Sequence, residues 1–214
     1  MRPVIIIFAK APIPGRVKTR LRPPLTPETA AGLYDCLVRD TLELMLRFAG
    51  RADVELHTDA ETDAWGEYGL ARRRQGEGAL GAKMLGALAR ALLEEDRPQA
   101  IIVGSDSPAL RAEDIEWLLE AQEDVALGPT EDGGYYAIAC RALKKDMFAG
   151  VSWSTAKTMR ETVAAVRACG LSVAIGAPSF DVDTPADLER IMAMGDALPA
   201  HTRRFCADLV WPDA

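Results

Sequence analysis

Val4-Ile5-Ile6-Ile7-Phe8-Ala9 decides the fold class. The run has no polar alternation, so as a strand it offers no face to water and must be covered on both sides, as in a parallel sheet flanked by helices. It leads straight into a Pro-, Gly- and cation-rich loop from Lys10 to Pro24. Ala100-Ile101-Ile102-Val103-Gly104 repeats the pattern and stops at Ser105-Asp106-Ser107-Pro108. Between the two, Thr26 reads as an N-cap and Pro27 as the first helical residue, and apolar residues at Ala30, Leu33, Tyr34, Leu37, Val38, Leu42 and Met45 predict one buried helical stripe. Alternation and apolar runs predict further strands at 53–58, 124–128, 135–140 and 171–176. Helical spacing predicts helices at 81–93, through Ile115 to Leu119, and at 156–169, with a last helix opened by the capping box Thr184-Pro185-Ala186-Asp187. Residues 61–78, with Arg72-Arg73-Arg74, carry no period that assigns them. Strands alternating with helices imply an α/β, Rossmann-like, doubly wound and mostly parallel sheet. Ligands of such sheets sit outside the carboxyl ends of the strands, so the loops 10–24, 105–110 and 177–184 are expected to converge on one crevice.

The 214 residues, 49% hydrophobic and 27% charged, suit a single domain over 1–214. Against 25 Lys and Arg stand 32 Asp and Glu, a net charge of −7 that argues against a nucleic-acid coat. The apolar run at the start is too short to span a bilayer, and a cytoplasmic protein is expected. Cys36, Cys140, Cys169 and Cys206 are scattered without a CxxC pair, so buried free thiols are expected rather than zinc. Residues 196–214, including Leu209 and Trp211, read either as a last packed helix or as a homodimer contact.

Five short constellations carry chemistry. Lys10, Gly15, Arg16, Lys18 and Arg20 concentrate cations in an acidic chain, with a glycine that lets backbone N–H groups approach an anion; the pattern fits polyphosphate binding or a solvated basic loop, and matches neither GxxxxGK[ST] nor GxGxxG. Asp106 at a strand's carboxyl end suits either a hard cation or a helix cap. Asp181 and Asp183, two residues apart, share a side if extended, and Asp106 with Asp183 supplies the one or two carboxylates that Mg²⁺ takes from a protein. Glu131-Asp132-Gly133-Gly134 is either a plain tight turn or a substrate-facing one, with Asp132 placed to contact or deprotonate an acceptor. Trp153-Ser154-Thr155 precedes a helix and either caps it or binds an anion there, with Trp153 packed.

The order FAKAPIPGRVKTRL, GSDSPAL, GPTEDGGYYAIA, VSWSTAKT, DVDTPADL resembles, over about residues 4–190, the bacterial glycosyltransferase-A-like family also described as radical-SAM/selenodomain-associated transferases. That resemblance implies a nucleotide-diphospho-sugar transferase type of fold with one antiparallel strand. It also implies a transferase using Mg²⁺ or Mn²⁺ and a nucleotide-activated donor, with a nucleotide or nucleotide sugar and a small-molecule acceptor as partners. More distant relatives are nucleotidyltransferases that release pyrophosphate, and a non-catalytic nucleotide-binding protein is a third reading. By the resemblance, Gly15, Arg16, Lys18 and Arg20 hold phosphates and Asp106 and Asp183 bind metal; the residues' own chemistry adds Lys10 to the phosphate set, Asp106 and Asp132 as catalytic, and Gly133, Gly134 and Ser154 as substrate contacts. One segment departs from the family pattern: Gly78-Ala79-Leu80-Gly81-Ala82-Lys83-Met84 stands where relatives carry Gly-Asp-Leu-Gly-Glu-Arg-Met, so two carboxylates are lost.

Overall fold

The computed structural model describes residues 1–209. The apolar runs form strands β1 (Val4–Ala9), β2 (Asp53–Thr58), β3 (Ala71–Arg74), β4 (Ala100–Val103), β5 (Val125–Pro129), β6 (Tyr135–Cys140) and β7 (Val173–Ile175). Helices are α1 (Pro27–Leu46), α2 (Leu80–Ala89), α3 (Ala112–Glu120), α4 (Thr158–Ala168), α5 (Pro185–Met194) and α6 (Ala200–Asp208). The strands make one sheet in the order β3-β2-β1-β4-β6-β5-β7. β6 runs antiparallel to both its neighbours, β4 and β5, while every other pairing is parallel. The fold is therefore the α/β, Rossmann-like, mostly parallel sheet that the sequence implies.

β1 shows why its sequence has no polar residue. Ile5, Ile7 and Ala9 pack with Tyr34 and Val38 of α1 and with Ile115 and Leu118 of α3, whereas Val4, Ile6 and Phe8 pack with Met84 and Leu88 of α2 and Val166 of α4. Each fully buried Ile contributes on the order of 1.5–3 kcal/mol, so a polar residue on either face would lose that and strand its own hydrogen bonds. A third apolar cluster joins Leu33 and Leu37 on the back of α1 to Leu21, Val182, Leu188 and Ile191. That cluster fastens the 10–24 loop and the segment before α5 to the body of the protein.

Thr26 and Thr184 cap α1 and α5 as the sequence implies, each accepting a backbone N–H three residues on. Three expectations change. The unassigned stretch contains β3, an edge strand whose four residues are all exposed. The helix after Thr184 is not the last: α6 follows and packs on α1, its first N–H groups at His201 and Thr202 donating to Asp40 at 2.9 and 2.8 Å. Residues 196–208 thus include a packed helix, while Trp211 lies outside the described residues. Finally, α4 begins at Thr158 with Lys157 at its N-cap, so neither Ser154 nor Thr155 caps it. Among the described residues no helix is long and apolar enough to cross a membrane.

Candidate functional site

A crevice of about 340 Å³ opens at the carboxyl ends of β1 and β4. Its walls include Lys10 and Arg20 from the first loop, Asp106 after β4, Asp132 and Gly134 from the β5–β6 turn, Ser154, and Asp181 and Asp183 before α5. The antiparallel β6 makes this convergence possible. Because it reverses direction, its amino end, with the turn that precedes it, lies beside the carboxyl end of β4, and Gly104 N–H donates to Tyr136 O at 2.8 Å. The segment before α5 is joined on the same side, Val182 N–H donating to Asp106 O at 3.0 Å.

The centre of the crevice is ionic. Lys18, in the left-handed conformation at φ +46°, turns its side chain inward, where it is only 4% exposed. Its Nζ donates to Asp106 Oδ2 at 2.8 Å and Asp183 Oδ1 at 2.9 Å, and lies 5.8 Å from the Tyr34 ring centroid. Burial opposes the charge on Lys18, but the two carboxylates more than offset it and hold its pKa above the ordinary value. Burial likewise opposes charge on Asp183, and Lys18 nonetheless keeps its carboxyl below the usual range. Asp181 differs: burial, then the neighbouring Asp106 charge, push it up to about 7, although Ser107 Oγ donates to its Oδ1.

The remaining predicted residues fall into two groups. Lys10 and Arg20 line the crevice, whereas Gly15 and Arg16 are exposed and lie outside its walls. Asp132 Oδ1 accepts from Thr130 Oγ1 at 2.6 Å and from Gly134 N–H at 3.0 Å, which leaves Oδ2 unengaged. Gly133, at φ +89°, packs so closely that a Cβ would stand 2.3 Å from Ala156 O, and its own carbonyl accepts Met159 N–H at 2.8 Å. The glycine is thus required for joining the turn to α4. Trp153 is packed as expected, edge-on to Tyr135 and Phe148 and against Gly81, and forms an apolar wall of the crevice with Phe8, Tyr135 and Met84.

Sequence reasoning treated Lys18 as one more loop cation; its apolar neighbour Val17 and the pair of distant aspartates were the available signals for an inward position. It also left Asp181 without a role. Carboxylate oxygens suit a hard divalent cation, so the chemistry of Asp106, Asp181 and Asp183 in one crevice fits Mg²⁺ or Mn²⁺, although among the described residues these three do not form a group whose oxygens all lie within 4.8 Å of one another. Elsewhere, Asp40, Glu43 and His201 do come within that distance of one another. There Asp40 is engaged by the amino end of α6 and Glu43 by His201 Nε2 at 2.7 Å, which accounts for the cluster as a helix cap with an attached ion pair.

Comparison with known proteins bears on all of this. A "putative nucleotide-diphospho-sugar transferase" from Desulfovibrio desulfuricans G20 is 28% identical and superposes with a TM-score of 0.87 over 97% of this chain and 95% of that one. At 18% identity, CMP:2-keto-3-deoxy-manno-octonic acid synthetase complexed with CTP superposes with a TM-score of 0.58 over 91% and 98%. A nucleotidyl transferase from Methanothermobacter, 14% identical, gives 0.60 over 89% and 95%. The last two share the fold. No curated protein matches the sequence. The family described as "Uncharacterized protein conserved in bacteria (DUF2064)" matches residues 33–155, from the buried face of α1 through the Asp106 loop to Thr155. Since that match takes in more than half of the chain, the protein belongs to the DUF2064 family.

Proposed function

We propose that the protein is a nucleotide-dependent transferase that binds a nucleotide sugar in the crevice and passes the glycosyl group to a small-molecule acceptor, using Mg²⁺ or Mn²⁺. The observation that carries this reading is the gathering of Asp106, Asp181 and Asp183 within a rim that includes Lys10 and Arg20. A negative centre inside a positive rim is what a divalent cation and a diphosphate need together: the carboxylates attract the cation, and the phosphates are attracted to the cation and the rim alike. The 28% identity to a protein described as a nucleotide-diphospho-sugar transferase supports the donor class.

Asp106 and Asp183, with Asp181 beside them, would hold the metal, which when bound neutralises charge on the diphosphate leaving group. Lys18 fixes the two outer carboxylates relative to each other, so their geometry is set before ligand arrives. Lys10 and Arg20 donate to phosphate oxygens. Asp132, with Oδ1 anchored by Thr130 and Gly134, orients the acceptor hydroxyl with Oδ2 and takes its proton. The aromatic wall of Phe8, Tyr135 and Trp153 gives the sugar or base an apolar face to lie on.

A second reading, nucleotidyl transfer from a nucleoside triphosphate, is favoured by the basic rim and the CTP-bound neighbour of like fold. A thermal-shift panel of nucleoside di- and triphosphates and nucleotide sugars, with and without Mg²⁺, separates the two, because a ligand that binds only the folded state raises its stability. One nucleotide sugar and its diphosphate are expected to give the largest metal-dependent shift. A preference for one triphosphate would move the assignment to nucleotidyl transfer. No metal-dependent shift, or the same shift in a folded Asp106→Ala variant, would overturn the metal assignment. Binding without turnover over a broad acceptor set would mark a sensor.

A further inference from the structure

On the face of the sheet that carries α2, a second cleft of about 570 Å³ lies between β3 and that helix, walled by Arg73, Arg74, Lys83 and Arg90 with Ala82 beside them. None of these residues belongs to the crevice. In a chain of net charge −7, four cations around one cavity are a local reversal of sign. Glu77 is the acidic residue of the wall.

The cations are held in two ways. Arg90 and Arg73 are braced from below by Glu55, a 5% exposed residue of β2 whose Oε2 accepts from Arg90 at 2.6 Å and lies 3.4 Å from Arg73 Nε. Glu95 Oε1 takes a second contact from each, at 2.5 and 3.2 Å. These carboxylates fix the guanidinium planes. Arg74 and Lys83 form no ion pair among the described residues, and Arg74 engages only a backbone carbonyl, Asp59 O at 2.7 Å. Their charge is therefore free to act on a ligand.

His57 sits among these cations. It lines the cleft at 2% exposure, and its Nδ1 is a buried polar atom without a hydrogen-bond partner. Its Nε2 lies 3.0 Å from Glu55 Oε2, which only accepts, and at a longer 3.4 Å from Arg90 Nη2, which only donates; the shorter contact places the proton on Nε2 and leaves Nδ1 as a lone pair. That lone pair is closed off by its burial, so recognition of a ligand in the cleft falls to the cations.

We propose that this cleft is a second anion site, which binds a phosphate or phosphate monoester between Arg74, Lys83, Arg73 and Arg90. It is separate from the donor crevice but shares α2 with it: Ala82 and Lys83 face the cleft, and Leu80 and Met84 face the crevice. Ala82 presents only a methyl group to this wall, where a carboxylate would repel an anion.

The test is calorimetric titration of inorganic phosphate, and separately of a sugar phosphate, at constant ionic strength. It compares the wild type with Arg74→Ala/Lys83→Ala, Ala82→Glu and the crevice variant Arg20→Ala, each checked for unchanged circular dichroism and melting without phosphate. Loss of charge-assisted bonds to two cations should weaken binding about tenfold or more, and Ala82→Glu should weaken it too, while Arg20→Ala leaves it intact. Tighter binding of the sugar phosphate than of inorganic phosphate would identify an organic ligand, and equal binding would identify the free ion; in both cases the cleft is the site. Affinity unaltered by Arg74→Ala/Lys83→Ala, affinity lost only with Arg20→Ala, or no saturable binding would overturn the proposal.

Discussion

Glu55 illustrates how completely neighbours can reset one side chain. Burial alone would raise its carboxyl pKa, yet the His57 hydrogen bond and the Arg90 and Arg73 charges bring it down from 4.5 to about 2. As pH falls the unfolded chain protonates this group first, so its contribution to stability is full above about pH 4.5 and is lost on the way down to about 2. The urea midpoints of wild type and Glu55→Gln should therefore draw together across that window; a constant gap would show that the ion network has no such linkage. Gly133 makes a steric prediction. With φ +89° and Ala156 O in the path of a Cβ, Gly133→Ala should cost about 2 kcal/mol or more, whereas Gly150→Ala, at φ +73° in open space, should cost about 1 kcal/mol. Chemical denaturation of the two variants measures the difference. The sequence marked Gly133 as a turn residue but could not tell that it faces a wall, because that depends on the chain around Ala156, more than twenty residues along.

Among the elements, legibility followed burial. β1 and β4 could be read directly because residues covered on both faces leave a continuous apolar run, and α1 and α5 because their caps are written in Thr26-Pro27 and Thr184-Pro185. β3 was silent for the opposite reason: Ala71-Arg72-Arg73-Arg74 is exposed along its whole length, and only pairing with β2 makes it a strand. The direction of β6 was equally beyond periodicity, since alternation is the same whichever way a strand runs. α2 opens at Ala79, which has the extended backbone of an N-cap but no side chain to accept an N–H. Ala79→Asp should thus add about 1 kcal/mol of stability, read as a rise in urea midpoint with unchanged slope. No gain would mean that a neighbouring group already satisfies those N–H donors.

For the molecule as a whole, Lys18 is the point where distant parts of the chain are tied together, with Asp106 88 residues away and Asp183 165 residues away. Removing that ammonium leaves two close carboxylates to repel each other. Lys18→Met should cost about 1–3 kcal/mol, discounted for the partial exposure of both aspartates, and Mg²⁺ should restore more stability to this variant than to the wild type. Denaturation with a chelator and with Mg²⁺ provides the check, and equal metal effects on the two proteins would remove Asp106 and Asp183 from the metal site. The candidate crevice was legible as three loops that had to meet, because a doubly wound sheet gathers its carboxyl ends; the inward turn of Lys18 and the pressure on Asp181 arise only once those loops are in place.

The same tie fixes when the crevice can first exist. A growing chain lengthens by roughly 5–20 residues each second, so Lys18 leaves the ribosome many seconds before the aspartate that completes its pair. Through that interval the early strands have neither Asp183 nor α6 to close over them. The pairing of Asp106 and Asp183 across one ammonium is therefore the contact of the crevice that waits longest for its parts.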